Sequence, residues 1–375
     1  MLRRSLAVAA VTGAITTAFL AAPAQAAEPV PAAKAAASWL STQQPAIPSF
    51  GLDHALALVS ADVASDKAKA LVGAFDSKTA LEAYVKDAKT GAYKPGALGK
   101  VMLAVEAVGG DVHAFGGTDL EQTLRGLIAQ DGKLTGAGTP NDQGLAVLAL
   151  GKTTGGAPAA TVTALATGQC PDGGFGWDWG GANCFSDIDA TTLVATALVA
   201  QKSPAATKSL DYVEKAQKAD GGFADSYSNV ENANTTGMAG QLLRSAGRTA
   251  SADKAAKFLL TLQVGCSAKE SERGAIGWNE PAVDDMTAMA TAQGVLGLTG
   301  EGLIELNAKD DTTAVVGLDC STKPTPTTPT TKPTNVAKDP LAKTGTSLGV
   351  AIAAGAALVG AGAVLVLVNR KRARR

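Results

Sequence analysis

The sequence of 375 residues predicts an all-α protein, a closed α/α toroid of six helix pairs, and three observations support this fold class. A helix-like segment that ends near a Gln and leads into a Gly-rich or aromatic turn recurs six times. These segments end 39 to 48 residues apart, a period typical of arrays of helix pairs. The stretches between the turns, such as 145–150 and 191–200, are apolar on nearly every face, which at helical length indicates burial on all sides. Because six pairs are enough for closure, we expect a ring and not an open solenoid.

Each repeat is predicted to contain an amphipathic outer helix, a turn and a buried inner helix. The outer-helix ends and their turn residues are 39–44 with Phe50, 84–89 with Tyr93, 126–130 with Leu134, 165–169 with Phe175, 212–217 with Phe223, and 258–263 with Trp278. The residues expected to cap the inner helices are Asp53, Gly96, Asn141, Asp189, Asn234 and Asp285. In the Asp-Gly-Gly-Phe turns at 172–175 and 220–223, Gly supplies a positive φ, and the preceding Gln amide is expected to tie the helix end to the neighbouring turn. These turns are interpreted as structural.

Composition and charge limit the possible ligands. The formal net charge is −1, and without the seven basic residues of the two chain ends it becomes −8. A mildly acidic surface argues against nucleic acid as a partner. Aromatic residues make up only 4% of the chain, whereas Gly occurs 42 times, which disfavours an aromatic-lined groove and favours close helix packing.

Residues 1–26 have the three parts of a secretory signal. Arg3 and Arg4 form a basic start, 6–20 are apolar, and Ala24-Gln25-Ala26 is a small-x-small cleavage site. We therefore expect export with cleavage after Ala26, which leaves 27–320 as the toroid domain. The alternative, an N-terminal membrane anchor, is disfavoured because the apolar run is short and is followed by Pro23.

The C-terminal part of the chain contains four further segments. Residues 321–340 are rich in Thr and Pro and are expected to form an extended linker. They are followed by the pentapeptide Leu341, Ala342, Lys343, Thr344 and Gly345. Residues 348–368 are apolar, uncharged and long enough to span a membrane, and the basic tail 369–375 indicates that this end is cytoplasmic.

Pentapeptide, apolar span and basic tail in this order resemble the cell-wall sorting signal of Gram-positive surface proteins. The commonest form of that signal has Pro where this chain has Ala342, and the match is to the LPxTG-like variant Leu-Ala-x-Thr-Gly of high-GC actinobacteria. The resemblance implies that a sortase cleaves between Thr344 and Gly345 and joins Thr344 to an amine of peptidoglycan. It thus implies a membrane-spanning precursor and a mature protein that is secreted and anchored to the cell wall at the cell surface. The alternative is that 348–368 is a simple membrane anchor.

The four cysteines are expected to be oxidised because the chain is predicted to be exported. Of the three possible pairings, sequence proximity favours Cys170 with Cys184 and Cys266 with Cys320. No metal site is predicted, because the chain has neither a Cys-x-x-Cys spacing nor a His near the cysteines. The two histidines, His54 and His113, are interpreted as cap-region or surface residues, and no cofactor is predicted.

The Gln/Gly/aromatic repeats resemble the QW-type repeats of the terpenoid cyclase and protein prenyltransferase superfamily, over about residues 33–318, with 212–223 as the closest copy. Squalene cyclase-like members form α/α toroids, and their protonating class uses an Asp-x-Asp-Asp motif. The resemblance places Asp189 on the proton-donor position, with Asp187 two residues before it. This chain departs from the motif at Ala190, has few inner-helix aromatics to stabilise a carbocation, and has one helical domain where those enzymes usually have more. The alternative role of Asp187 and Asp189 is helix N-capping. Neither the zinc ligands of the prenyltransferases nor a thioester segment is present.

Polar residues near the starts of the inner helices are expected to gather at one mouth of the toroid. The candidates for ligand binding are Asn141, Asp142, Asn234, Asp284 and Asp285, together with Trp177, Trp179 and Trp278 of the long turns. Converging polar groups above an apolar barrel suit a ligand, so binding and glycan hydrolysis both stay open. For the three Trp residues, the alternative role is packing of turn onto helix.

The sequence therefore predicts a non-catalytic binding or interaction module with an unknown surface ligand. The alternative is a terpene-cyclase-like or glycan-cleaving enzyme with Asp189 as its acid. The substitution Asp189→Asn separates the two, because it leaves binding largely intact in the first case and abolishes turnover in the second.

Overall fold

The computed structural model describes residues 29–180 and 184–321. The predicted signal 1–26, the linker beyond residue 321, the pentapeptide 341–345, the apolar segment 348–368 and the tail 369–375 all lie outside the described residues. Within those residues, no helix combines the length and the apolar character that crossing a membrane requires.

The described ranges contain thirteen α-helices and, apart from isolated bridges, no β-strand. Six of these helices are almost wholly buried and form an inner ring: α2 (Phe50–Ala61), α5 (Pro95–Ala107), α7 (Pro140–Lys152), α9 (Ile188–Ala200), α11 (Ala233–Ser245) and α13 (Thr287–Thr299). Six others precede them and pack outside: α1 (Pro29–Ser41), α4 (Lys78–Val85), α6 (Leu120–Gly126), α8 (Ala159–Ala166), α10 (Ala206–Ala216) and α12 (Thr249–Thr261). The remaining helix is α3 (Ser65–Gly73).

The inner helices form a closed ring. Each packs on the next in chain order, and the last, α13, packs on both α2 and α1. The predicted closed toroid of six helix pairs is confirmed. Because every inner helix has neighbours on both sides and an outer helix behind it, the sequence must be apolar on nearly all faces, as the segments 145–150 and 191–200 are.

Helix α3 departs from the predicted plan of two helices per repeat. The chain leaves α2 through Asp62 and Ala64, which both adopt left-handed backbone angles with φ of 53° and 48°. This reversal lays α3 back against α2, where Ala68 and Val72 are buried. The second repeat therefore begins one helix later than the two-helix period implies.

The Asp-Gly-Gly-Phe turns are structural, as predicted. Phe175 and Phe223 are completely buried, and their backbone N–H groups donate to Thr191 Oγ1 at 2.8 Å and Thr236 Oγ1 at 2.9 Å. In the sixth turn the equivalent residue is Ile276, whose N–H donates to Thr291 Oγ1 at 2.9 Å. The expectation that Trp278 fills this position is wrong, because Trp278 lies two residues further on and is only half-buried.

The Gln side chains link one repeat to the next. The Nε2 group of Gln217 donates to the carbonyl of Gly221 in its own turn and to that of Ser251 in α12, at 3.1 and 2.8 Å. Gln263 Nε2 makes the same pair of bonds to Gly274 and to Ala32 of α1, at 3.1 and 2.9 Å. The last bond joins the sixth repeat to the first and so closes the ring.

Two of the Gln residues predicted to tie a helix end to the neighbouring turn do not do so. Gln44 and Gln130 are exposed. In the third repeat the linking role belongs to Gln143 of the inner helix α7, whose Nε2 donates to the carbonyl of Thr161 in α8 at 2.9 Å. In this repeat the linking amide comes from the helix after the turn and not from the helix before it. The regular spacing of Gln at the ends of the outer helices therefore does not predict it.

Two glycines show why this packing needs residues without a side chain. Gly221 has a φ of 98°, and a Cβ atom there would overlap the carbonyl oxygen of Lys254. Gly237 lies where α11 crosses α13, and a Cβ atom there would overlap the carbonyl oxygen of Gln293. The high Gly content thus serves both tight turns and close contact between inner helices.

Residues 300–306, here called the plug, cross the ring at the C-terminal ends of the inner helices. The N–H of Leu303 donates to Gln241 Oε1 at 2.7 Å. Lys152 Nζ donates to the carbonyl oxygens of Ile304 and Leu306, at 2.9 and 2.6 Å. Leu303 and Leu306 are buried, so the plug closes this end of the barrel.

The chain after the plug runs back over the outer surface and is held there by a disulfide. The N–H of Ser65 donates to the carbonyl of Thr312, and the N–H of Val316 donates to Ser38 Oγ, both at 2.8 Å. Cys266 and Cys320 are bonded, as are Cys170 and Cys184, with a Cα–Cα distance of 5.6 Å in each pair. Both predicted pairings are confirmed.

Candidate functional site

The residues predicted to cap the inner helices are wrong, and in α7, α9 and α11 the true cap lies two residues earlier in the sequence. Helices α7, α9 and α11 are capped by Thr139, Asp187 and Asn232, whose side chains accept from backbone N–H groups of the first turn at 3.2, 2.8 and 2.9 Å. An N-cap needs a non-helical backbone just before the first turn, and these three residues have it. Inside the helices, and therefore not caps, lie Asp53, Gly96, Asn141, Asp189 and Asn234. Asp285 precedes α13 by two residues and is exposed.

Three of these residues form a polar layer at the mouth where the inner helices begin. Asn141, Asp189 and Asn234, here called the mouth tier, each lie four residues before a residue that lines a cavity on the barrel axis. Because positions i and i+4 share one face of a helix, the mouth tier faces the axis one turn nearer the opening. The structure thus brings together three of the residues singled out in the sequence, one from each of α7, α9 and α11.

The two Asn residues of the mouth tier are buried without a full set of hydrogen-bond partners. Asn141 is only 6% exposed, and neither its Oδ1 nor its Nδ2 has a partner. Asn234 is 5% exposed; its Nδ2 donates to Gln293 Oε1 at 2.9 Å, but its Oδ1 has no partner. An unpaired buried polar group destabilises a fold by about 1 to 3 kcal/mol, so folded proteins contain few of them. The two Asn residues lie on the inner helices at either side of α9, and their unpaired atoms make the mouth tier a candidate binding site.

The pKa of Asp189 lies well above that of an ordinary aspartate. Burial raises the pKa of Asp189 to about 8, the Asp187 carboxylate contributes to the rise, and the Thr235 hydroxyl offsets part of it. Asp187 itself is occupied as the N-cap of α9, since its Oδ1 accepts from the N–H of Ala190. Of the two catalytic candidates, Asp187 therefore has a structural role, and Asp189 has a raised pKa.

The barrel axis below the mouth tier is nearly filled. The cavity there has about 20 Å³ of room for the centre of a water-sized probe, enough for about one water molecule. Its walls are Leu56, Leu103, Leu145, Leu193, Met238, Ala292, Gln293 and Leu296, with Asp53 and Lys100, and Leu303 of the plug closes its base. This cavity is thus a small apolar space under a polar tier, too small for an isoprenoid chain.

A buried ion pair lies beside this cavity. Lys100 Nζ of α5 and Asp53 Oδ2 of α2 are 2.6 Å apart, and their side chains are 4% and 12% exposed. Sequence reasoning placed Asp53 at the mouth but missed Lys100, the only basic residue of α5 and hence a visible signal within an otherwise apolar inner helix. The two opposite charges neutralise each other.

The two histidines differ in environment. His54 of α2 is buried, contrary to the prediction of a cap-region or surface residue, and burial lowers its pKa to about 4, so it is neutral. His113 is exposed, as predicted, and its Nδ1 lies 3.2 Å from Asp119 Oδ2. No group of His, Cys, Asp and Glu within the described ranges has the arrangement of a metal site.

The two remaining acidic candidates, Asp142 and Asp284, make local hydrogen bonds. Asp142 Oδ2 accepts from the N–H of Thr139 at 3.0 Å and completes a capping box at the start of α7. Asp284 Oδ1 accepts from the N–H of Met286 at 2.8 Å, within its own turn.

The three Trp residues divide between packing and exposure. Trp179 Nε1 donates to the carbonyl of Ala137 at 3.1 Å, and Lys133 Nζ lies 4.3 Å from the ring centre. Trp278 packs against the core, whereas Trp177 is 39% exposed. The packing alternative therefore describes Trp179 and Trp278, and Trp177 keeps a free face.

The sequence matches no protein-family model, and no curated protein is similar enough to count as a match. Solved structures with a similar fold include a protein from Actinoplanes, which is 12% identical with a TM-score of 0.49 over 73% of this chain and 99% of that one. The type II terpene cyclase MstE from Scytonema is 15% identical with a TM-score of 0.45, over 72% of this chain and 87% of that one. The ent-copalyl diphosphate synthase from Streptomyces platensis is 15% identical with a TM-score of 0.40 over 72% of this chain. This chain spans only 50% of the synthase. The neighbours of this α/α toroid thus include terpene cyclase-like folds, and the likeness concerns the fold alone.

Proposed function

We propose that this protein is an exported, wall-anchored surface protein whose toroid binds a small ligand group at the mouth tier without catalysis. The observation that carries the proposal is the pair of buried Asn side chains, Asn141 and Asn234, which present unpaired donors and acceptors to the barrel axis. A bound ligand group supplies the missing hydrogen-bond partners. The unpaired Asn atoms lower the stability of the free protein, and pairing them with the ligand makes binding more favourable.

Export and anchoring are supported by independent features of the chain. Two disulfides are expected of a protein that folds outside the cytoplasm. The secretory signal at 1–26 and the sorting signal at 341–375 give the same compartment. In this proposal the sortase product is linked to peptidoglycan through Thr344.

The anchoring is tested by the substitution Thr344→Ala. We expect it to move the protein from the cell-wall fraction to the membrane fraction, because Thr344 is the residue that sortase joins to the wall. Immunoblots of fractionated cells measure the change, and Thr346→Ala, just outside the pentapeptide, is the matched control. If the Thr344 variant stays in the wall fraction, sortase anchoring is wrong.

The binding site is tested by the substitution Asn141→Leu. We expect the free energy of unfolding to rise by about 1 to 2 kcal/mol, because the change removes an unpaired buried amide and keeps a side chain of similar size. The control is Asn232→Leu, for which we expect a loss of about 1 kcal/mol, since Asn232 Oδ1 caps α11. Urea unfolding of the full chain measures both. A loss of stability at Asn141 comparable to that at Asn232 would show that Asn141 has a structural role.

The alternative function is an enzyme, cyclase-like or glycan-cleaving, that uses Asp189 as a general acid. The raised pKa of Asp189 favours it, because an acid that is protonated at neutral pH can donate its proton. The small axial cavity disfavours a cyclase, since it is too small to hold an isoprenoid chain. Turnover that Asp189→Asn abolishes would support the enzyme, whereas ligand binding that survives this substitution supports the binding module.

A further inference from the structure

The hydrogen-bonding atoms left open in the mouth tier define what a ligand must offer. Asn141 presents one free donor and one free acceptor, and this holds whichever way its amide is oriented, because both atoms are unpaired. Asn234 presents a free acceptor, Oδ1. Both side chains are more than nine-tenths buried. The ligand group must therefore donate and accept at the same time.

This requirement excludes simple ions. A carboxylate or phosphate only accepts, so it leaves the Asn oxygens unpaired, whereas an ammonium group only donates and leaves the Asn141 Nδ2 unpaired. For anions, charge gives the same result, because Lys100, the basic residue beside the cavity, is already paired with Asp53. An anionic group brought into this apolar surrounding has no cation left to pair with. The ligand group is neutral.

The shape of the site distinguishes between neutral groups. Asn141 and Asn234 belong to α7 and α11, which lie on either side of α9, so they approach the axis from two directions. A secondary amide in its trans form has its C=O and N–H on opposite edges, which suits two partners placed in this way. Below the tier, Leu145, Leu193 and Met238 surround a space of about one water molecule, which is also the size of a methyl group. A ligand with a secondary amide at the mouth tier and a methyl group in the cavity below it contains an acetamido group.

We propose that the mouth tier binds the N-acetyl group of an amino sugar, with the methyl in the axial cavity and the amide between Asn141 and Asn234. This inference rests on the proposed binding function and assigns its ligand class. Trp177, in the turn that leads to α9, has an exposed side chain that could stack on a sugar ring.

The test compares five probes on the full chain by isothermal titration: N-acetylglucosamine, N-propionylglucosamine, glucosamine, glucose and N-acetyl-lysine amide. We expect measurable binding of N-acetylglucosamine, and binding at least tenfold weaker of glucosamine, which has an ammonium group at that position, and of glucose, which has a hydroxyl. Lengthening the acyl group to N-propionyl is expected to weaken binding at least tenfold, because the cavity is full. Equal binding of glucosamine or glucose would overturn the proposal, and tighter binding of N-acetyl-lysine amide would overturn the assignment to a sugar.

Variants locate the bound sugar. Asn141→Leu and Asn234→Leu are each expected to abolish N-acetylglucosamine binding, and Asn307→Ala, an exposed Asn beyond the plug, to leave it unchanged. Binding that both tier variants retain would place the sugar elsewhere and contradict the proposal. If no probe binds while Asn141→Leu still stabilises the fold, the ligand class is wrong but the binding site stands. If Asn141→Leu destabilises the fold, the site itself is wrong.

Discussion

Replacing Lys100 with Met is expected to lower the free energy of unfolding by about 3 to 5 kcal/mol, because it leaves the Asp53 carboxylate buried without its partner. The Met side chain is unbranched like that of Lys and one heavy atom shorter, so the change removes the ammonium group and keeps most of the packing. Urea unfolding followed by circular dichroism measures the loss. The control is Lys86→Met, which removes the partner of Glu82 in a partly exposed pair 2.9 Å apart and should change stability by less than about 1 kcal/mol.

A double variant separates the cost of an unpaired charge from the contribution of the pair. With Asp53→Leu added to Lys100→Met, no charge stays buried, and we expect most of the lost stability to return. Both residues line a cavity whose other walls are apolar except for Gln293, so apolar replacements suit their surroundings. If the double variant is as unstable as the single one, Lys100 stabilises the fold by packing and not by neutralising Asp53.

Loss of the Cys266–Cys320 disulfide is expected to lower the free energy of unfolding by about 4 kcal/mol, when both residues are changed to Ser. The bond joins residues 54 positions apart, and the chain-entropy model gives about this value for a loop of that length. The Cys170–Cys184 bond spans 14 positions, so its removal should cost about 3 kcal/mol. Urea unfolding of the two double variants measures the difference. The opposite order would show that strain or local packing, and not loop length, decides the contribution of each bond.

The sequence is sufficient to predict the architecture, because each repeat contains an apolar inner-helix segment and the repeats follow one another at a similar spacing. Inner helices enclosed on all sides must be apolar on all faces, and linking Gln residues recur at the turns of the fourth, fifth and sixth repeats. The caps were misplaced for a local reason. Asp187 and Asp189, like Asn232 and Asn234, are two suitable residues spaced by two, and only the backbone angles decide which one lies before the first turn.

Contacts between distant parts of the chain could not be predicted in the same way. Lys100 and Asp53 lie on different helices, and their meeting depends on how each helix is rotated about its own axis. The plug depends on contacts of Leu303 with α11 and of Lys152 with carbonyls more than 150 residues away, which no local pattern encodes. The mouth tier was identified in part because Asn141, Asp189 and Asn234 recur at the same position of successive repeats, whereas their missing partners became visible only in the structure.

The bond from Gln263 to the carbonyl of Ala32 and the packing of α1 on α13 have a consequence for the order of the chain. In a closed ring, the first and the last helix pairs of the chain pack on each other in the same way as any two successive pairs. No helix pair is therefore a terminal one. A circularly permuted gene that begins at α10 and connects the present ends through a flexible linker should encode the same ring. Deleting one helix pair, in contrast, removes a packing neighbour from two other pairs at once. A ring with one repeat fewer would therefore have to close again with a different geometry, whereas an open solenoid can lose a terminal repeat.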